Sequence, residues 1–142
     1  MKKTREAGDR MLKGGCFCGR IRYEAVGVPF HATNCHCSIC RRTTGASFVT
    51  WFSVARSQFR IVCGEPTRFR STAQGARSFC PHCGTQLTFE HEDSLDEIGI
   101  TTCSLDDPNE LPPKDHTWTG SKVDWVKLAD QLPEYQDNRQ KE

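Results

Sequence analysis

The sequence predicts a single, mostly β domain with short irregular connections, held together by metal. Three observations predict it. The chain has 142 residues, which suits one compact domain and leaves no room for a second of ordinary size. Its apolar segments are short, alternate with polar residues and are divided by Gly, Pro, Asn and Asp, as strands and turns require. Nine cysteines are many for this length, and seven of them stand in three tight groups.

In chain order, residues 20–26 (RIRYEAV) alternate polar and apolar and close at Gly27 and Pro29, the pattern of a half-buried strand. Residues 47–52 (SFVTWF) are aromatic and β-preferring and predict a second strand. Phe59–Cys63 is a third; the turn Gly64-Glu65-Pro66 ends it, and Thr67–Arg70 resumes the extended pattern. Residues 86–90 and 97–102 are two further strands. Asp106-Asp107-Pro108-Asn109 and Leu111-Pro112-Pro113 then break the chain. Helical spacing occurs only over residues 123–132, where Val123, Val126, Leu128 and Ala129 make a loose apolar face that Pro133 ends. Residues 1–12 read as a flexible arm and 136–142 as a flexible tail around a domain of 13–135.

Composition excludes several classes. Formal net charge is +1, with 19 basic and 18 acidic side chains, so no whole-domain attraction draws the chain to nucleic acid or an acidic membrane surface. No apolar run approaches the roughly 20 residues of a membrane span. The first residues are charged and no apolar stretch follows them, so no secretory signal is read and a cytoplasmic location is expected.

A reducing compartment weighs against disulfides, and an odd number of cysteines leaves one unpaired. The groups are Cys16-Phe17-Cys18, then Cys35-His36-Cys37-Ser38-Ile39-Cys40, then Cys80-Pro81-His82-Cys83. Neighbours this close rarely meet disulfide geometry, whereas zinc gathers sulfurs at about 2.3 Å into a tetrahedron. Cys80 and Cys83 flank a zinc-knuckle turn that Gly84 completes; Cys16 and Cys18 sit between Gly14-Gly15 and Gly19. Each pair supplies two ligands and a closed structural site needs four, so joining Cys16, Cys18, Cys80 and Cys83 accounts for both. The join ties the start of the domain to its middle, removing much chain entropy.

Cys35, Cys37 and Cys40 offer three sulfurs and no fourth cysteine in a comparable group. Three protein ligands with one position open is the arrangement of a catalytic zinc. A thiol bound there loses its proton and becomes a nucleophile at neutral pH. Three thiolates make the ion a weak Lewis acid, better suited to delivering a soft sulfur than to activating water. The rival is a second structural zinc, closed by a distant histidine or by Cys63 or Cys103. Otherwise Cys63 and Cys103 read as small buried apolar residues. His36 and His82 are expected to point away from the metal, and His31, His91 and His116 to be solvated or core histidines. Arg41 and Arg42 are candidates to anchor a substrate carboxylate or, equally, a solvated patch. Phe17, Phe48, Trp51 and Phe79 read as core.

At these residues the sequence resembles the glutathione-dependent formaldehyde-activating enzyme family, also called the centromere protein V-like domain. The resemblance lies in Gly14-Gly15-Cys16-Phe17-Cys18-Gly19 with Ile21-Arg22-Tyr23, in Cys35 to Arg42 with Thr44-Gly45, and in Phe79 to Thr85. Leu105-Asp106-Asp107-Pro108, His116 to Trp118, Ser121-Lys122 and Trp125 are similar to its C-terminal part. The resemblance implies a zinc-bound β-tent and two Zn2+ per chain. Cys16, Cys18, Cys80 and Cys83 would hold the structural ion, and Cys35, Cys37 and Cys40 the catalytic one. It also implies a carbon–sulfur lyase-type enzyme that condenses formaldehyde, or a related small aldehyde, with glutathione or a similar thiol to S-hydroxymethylglutathione. The alternative it leaves open is a non-catalytic zinc scaffold for a protein or nucleic acid. Only the short basic arm (Lys2, Lys3, Arg5, Arg10, Lys13) favours that reading.

Overall fold

The structure, a computed structural model, describes residues 10–139. The arm and tail expected at the termini lie outside them for residues 1–9 and 140–142. Ten strands form two sheets. β1 (Met11–Gly15), β2 (Arg22–Val26) and β5 (Phe59–Cys63) make a three-stranded antiparallel sheet in the order β1-β2-β5. The seven-stranded sheet runs β10-β3-β4-β9-β8-β7-β6. Its strands are β3 (Phe30–Cys35), β4 (Val49–Ala55), β6 (Thr67–Arg70), β7 (Gly75–Phe79), β8 (Gln86–His91), β9 (Glu97–Thr101) and β10 (Asp115–Thr117). Only β10 pairs in parallel, along β3. The mostly β expectation is met.

β4 organises the interior. Because side chains alternate across a strand, Phe52 and Val54 enter the main core, while Val49 and Trp51 face a second, smaller cluster with Cys35 and Cys40. The main core fills the space between the sheets: Tyr23, Ala25 and Phe59 from one side meet Phe52, Val54, Ile98 and Ile100 from the other. Phe52, Val54 and Ile100 are wholly buried, each worth roughly 1.5–3 kcal/mol of transfer free energy. The cysteine cluster therefore sits on the opposite face of the large sheet from the main core.

The strands at 20–26, 47–52, Phe59–Cys63, Thr67–Arg70, 86–90 and 97–102 are present within a few residues. Four others were not read from the pattern: β1, β3, β7 and β10. The ordered chain begins before residue 13, since Leu12 in β1 is buried. Gly14 is a close approach, because a Cβ there would collide with Ser104 O and the Tyr23 ring. At the other end, Arg139 makes a paired hydrogen bond to buried Asp115, 3.0 and 2.8 Å.

The helix expected at 123–132 does not form. None of its residues is buried and Trp125 is 74% exposed, so no packed face offsets the cost of helix nucleation. Lys122 Nζ instead donates to the carbonyls of Val123 and Val126, and the segment runs on as an irregular strap. The α-helix of the described residues is α1 (Ser38–Thr44), inside the middle cysteine group. Cys63 and Cys103 are exposed rather than buried: Cys63 ends an edge strand and Cys103 lies in a 3₁₀ turn after β9. Phe17 is 93% exposed rather than core. Trp51 is core as expected, while Phe48 and Phe79 are half-buried.

Candidate metal centres and active site

Two hairpin turns build the first centre. After β1, the amide of Ile21 donates to Cys16 Sγ at 3.2 Å, and Gly19, at φ +83°, donates to Cys16 O at 3.1 Å. After β7, the amide of His82 donates to Cys80 Sγ at 3.4 Å, and Gly84, at φ +81°, donates to Cys80 O at 2.8 Å. The two turns thus share one construction, with amides aimed at sulfur and a left-handed glycine to leave the turn. Thr85 stitches them together: its Oγ1 accepts from the Phe17 amide at 3.0 Å and lies 3.2 Å from Cys83 Sγ. The Thr85 hydroxyl also draws the Cys83 thiol down to about 5.

The sulfurs of Cys16, Cys18, Cys80 and Cys83 lie within 4.8 Å of one another, and all nine cysteines of the chain are free of disulfides. Cys16 and Cys18 Sγ are 3.5 Å apart, Cys18 and Cys80 Sγ 3.8 Å. A zinc tetrahedron with sulfur at about 2.3 Å has edges of about 3.8 Å. The donor set fits a closed zinc site.

The second centre forms where β3 hands over to α1. Cys35 ends β3, Cys37 is the residue before the helix and Cys40 is buried in its first turn. Cys37 Sγ accepts from the Cys40 amide at 3.2 Å, and Cys40 Sγ lies 3.5 Å from Cys35 Sγ. Gly45, at φ +70°, ends the helix by donating to Arg41 O. The three sulfurs again lie within 4.8 Å, and among the described residues no His, Cys, Asp or Glu joins them as a fourth. Closure by Cys63, Cys103 or a distant histidine does not occur. Hydrogen bonds from Cys35 and then Cys40 hold the Cys37 thiol far below its ordinary range, while the same contacts push Cys35 far above it. Three sulfurs this close disfavour carrying full negative charge together until a cation joins them, which is the demand a divalent ion meets. This set fits zinc with one position left open.

Around this centre lie further polar residues. His36 turns away from the sulfurs, as expected, and stacks against Phe48. Its Nε2 is 3.0 Å from Nδ1 of buried His116, whose Nε2 is 2.7 Å from Asp130. Burial pushes His36 down to about 4, so the ring is neutral at pH 7. Arg77, on β7 and only 5% exposed, reaches across from the sheet: its Nη2 is 3.6 Å from Cys40 Sγ. No local pattern marks Arg77, because its place depends on the β7–β8 register that sets it opposite Phe89. His116 and Asp130 are fourteen positions apart without a motif, although His116 stood within the family-like C-terminal segment. Arg42 is exposed and Arg41 half-buried.

Two cysteine clusters fit for metal, one closed and one open, on a two-sheet β scaffold define a small β protein with two candidate metal centres, the open one a candidate active centre. Comparison narrows the class: the chain belongs to the glutathione-dependent formaldehyde-activating enzyme family, whose profile matches residues 11–121. A Halomonas elongata protein that carries the family's name is 28% identical over 127 residues, covering 83% of this chain and 81% of its own length. The crystal structure of a Rhodobacter sphaeroides protein superposes with a TM-score of 0.59 at 21% identity, covering 86% of this chain and 98% of that one. That likeness bears on the fold. Among the described residues no helix is long and apolar enough to cross a membrane.

Proposed function

We propose that this protein is a zinc-dependent carbon–sulfur lyase-type enzyme that joins a small aldehyde, formaldehyde in the first instance, to glutathione or a related thiol. The observation that carries the reading is the asymmetry of the two clusters: four sulfurs around one point and three around the other. Cys16, Cys18, Cys80 and Cys83 would hold a structural ion, and Cys35, Cys37 and Cys40 a catalytic one. When bound, the second ion supplies an open position and the charge that keeps a substrate sulfur deprotonated. In the reaction the thiolate sulfur attacks the carbonyl carbon; a carbon–sulfur bond forms, the C=O π pair moves to oxygen, and that oxygen takes a proton.

The chain's own contribution is to hold the three sulfurs in place and keep water from them. Cys40 is fixed by α1, Cys35 by β3, and Trp51 closes the cluster from the sheet below. His36 braces the loop between Cys35 and Cys37 through His116. The family name and the name of the Halomonas relative support the pairing of glutathione with formaldehyde.

The test combines metal content with thermal denaturation in rising glutathione, followed by detection of S-hydroxymethylglutathione. Two zincs per chain, a saturable rise in Tm and product formation are expected, since a ligand that binds only the folded state stabilises it by mass action. Two zincs with neither a Tm response nor product would remove the thiol from the reading. Salt-dependent binding to duplex DNA instead would move it to the scaffold alternative.

A further inference from the structure

Arg77 is a buried cation that, among the described residues, forms no ion pair with a carboxylate. Its guanidinium lies between two rings, 5.7 Å from the centroid of Trp51 and 5.0 Å from that of Phe89. Its Nε donates to Ser71 Oγ at 3.3 Å and its Nη2 points at Cys40 Sγ at 3.6 Å. Its Nη1 is sealed from solvent and has no acceptor at all. The acidic side chains near this end of the sheet are engaged elsewhere: Glu90 faces Arg56 and Arg68, and Glu92 pairs with Arg70. Among the described residues no ion pair reaches Arg77.

A buried guanidinium without an anion is strongly disfavoured. Ring faces and one hydroxyl soften that cost without cancelling a full charge. The negative charge nearest to it belongs to the cysteine cluster. That cluster has the opposite problem: three thiolates outweigh a divalent ion by one charge, and a fourth thiolate from a substrate adds another. The two imbalances cancel across the 3.6 Å contact. Arginine suits the place, since it stays charged when buried and its planar fork slides between aromatic faces.

We propose that Arg77 is the built-in counter-charge of the Cys35–Cys37–Cys40 centre, a positioning residue that acts through Cys40. It lies against the Cys40 sulfur, where its charge offsets the excess negative charge of the sulfur cluster as an anionic thiol joins it. The proposal deepens the enzyme reading above and rests on it for the identity of the anion as a thiolate.

The experiment compares wild type with Arg77→Met, which keeps bulk between Trp51 and Phe89 but removes the charge, and with Arg77→Lys, which keeps the charge but not the fork. Zinc loss to a graded chelator is followed for each, with zinc at Cys16, Cys18, Cys80 and Cys83 and the far-UV spectrum reporting an intact fold. Arg77→Met is expected to surrender the second zinc about tenfold or more easily, keeping the first, and Arg77→Lys to stay near wild type. The KM for glutathione should rise by a similar factor in Arg77→Met, with a smaller change in kcat. An Arg77→Met protein that holds both zincs and binds glutathione as wild type does overturns the proposal. If Arg77→Met does not fold, Arg77→Lys decides: retention of the second zinc supports a role for charge, and its loss refutes it. Wild-type protein that ignores glutathione would overturn the enzyme reading instead, because the chelator comparison needs no thiol.

Discussion

Nδ1 of His116 faces Nε2 of His36 across 3.0 Å, and both rings are buried. The carboxylate of Asp130 can only accept, so it takes the Nε2 proton of His116 at 2.7 Å. In the neutral ring His116 Nδ1 is then an acceptor, and His36, itself neutral, donates to it from Nε2. That leaves His36 Nδ1 as an unprotonated nitrogen, which explains why this atom is buried without a partner. An orphaned lone pair costs less than an orphaned N–H. The chain of three side chains ties the strap after residue 122 to β10 and to the loop between Cys35 and Cys37.

The first prediction tests that tie. His116→Ala leaves His36 Nε2–H buried with nothing to accept it and opens a cavity beside Phe48. Urea unfolding of the zinc-loaded protein should show a loss of about 2 kcal/mol or more. The second zinc should also exchange faster than the first. Unchanged stability would mean that water or another group replaces His116 at no cost.

A second prediction concerns acid. The Leu132 amide, and then His116, hold the Asp130 carboxyl below the ordinary carboxylate range. A group with a lowered folded-state value stabilises the fold above its unfolded value and loses that contribution as pH falls through the folded one. The window is therefore at and below about pH 4. Asp130→Asn should be less stable than wild type at pH 7, and the gap should close as pH drops through that window. A gap that stays constant with pH would show that the carboxylate's charge plays no part.

The third separates the two centres. Cys83→Ser removes one of the four sulfurs proposed to hold an ion between the turns after β1 and β7, so Tm should fall steeply and both zincs should be lost with the fold. Cys37→Ser weakens a site on the far face of the large sheet, away from the main core. It should keep one zinc and a cooperative transition while product formation disappears. Equal loss of Tm in the two variants, measured at one zinc concentration, would contradict the division of labour.

Three of the four strands that the pattern hides differ from β2 and β4 in what they bury. β2 and β4 bury apolar side chains, so their alternation is visible in the sequence. β3, β7 and β10 bury polar ones: Thr33 bonds Thr117, Asn34 takes the Thr50 hydroxyl, and Ser78 pairs with Thr88. A buried Thr or Arg looks solvated until its partner is known, and the partners here are 10 to 84 positions away. Metal-ligand spacing is local, which is why both cysteine clusters were legible while the place of Arg77 and the pairing of His116 with His36 and Asp130 were not. The helix over 123–132 failed for the converse reason: apolar spacing was present, but no surface was available to bury it.

The last prediction rests on Thr85, the residue that joins the two knuckles. Its hydroxyl accepts from the Phe17 amide and contacts Cys83 Sγ, so one oxygen serves both turns of the first centre. Thr85→Val keeps the shape and the β-branch but removes both interactions. Cys83 loses the contact that most lowers its thiol, and therefore binds a metal with more competition from protons. Partners outside the ligand shell of this kind typically contribute about 10- to 100-fold in metal affinity. Zinc transfer from the first centre to a chelator should accelerate within that range in Thr85→Val, more at pH 6 than at pH 8. The second centre should release its ion as in wild type. Acceleration of equal size at both centres would point to a general loosening of the fold and against a role specific to Cys83.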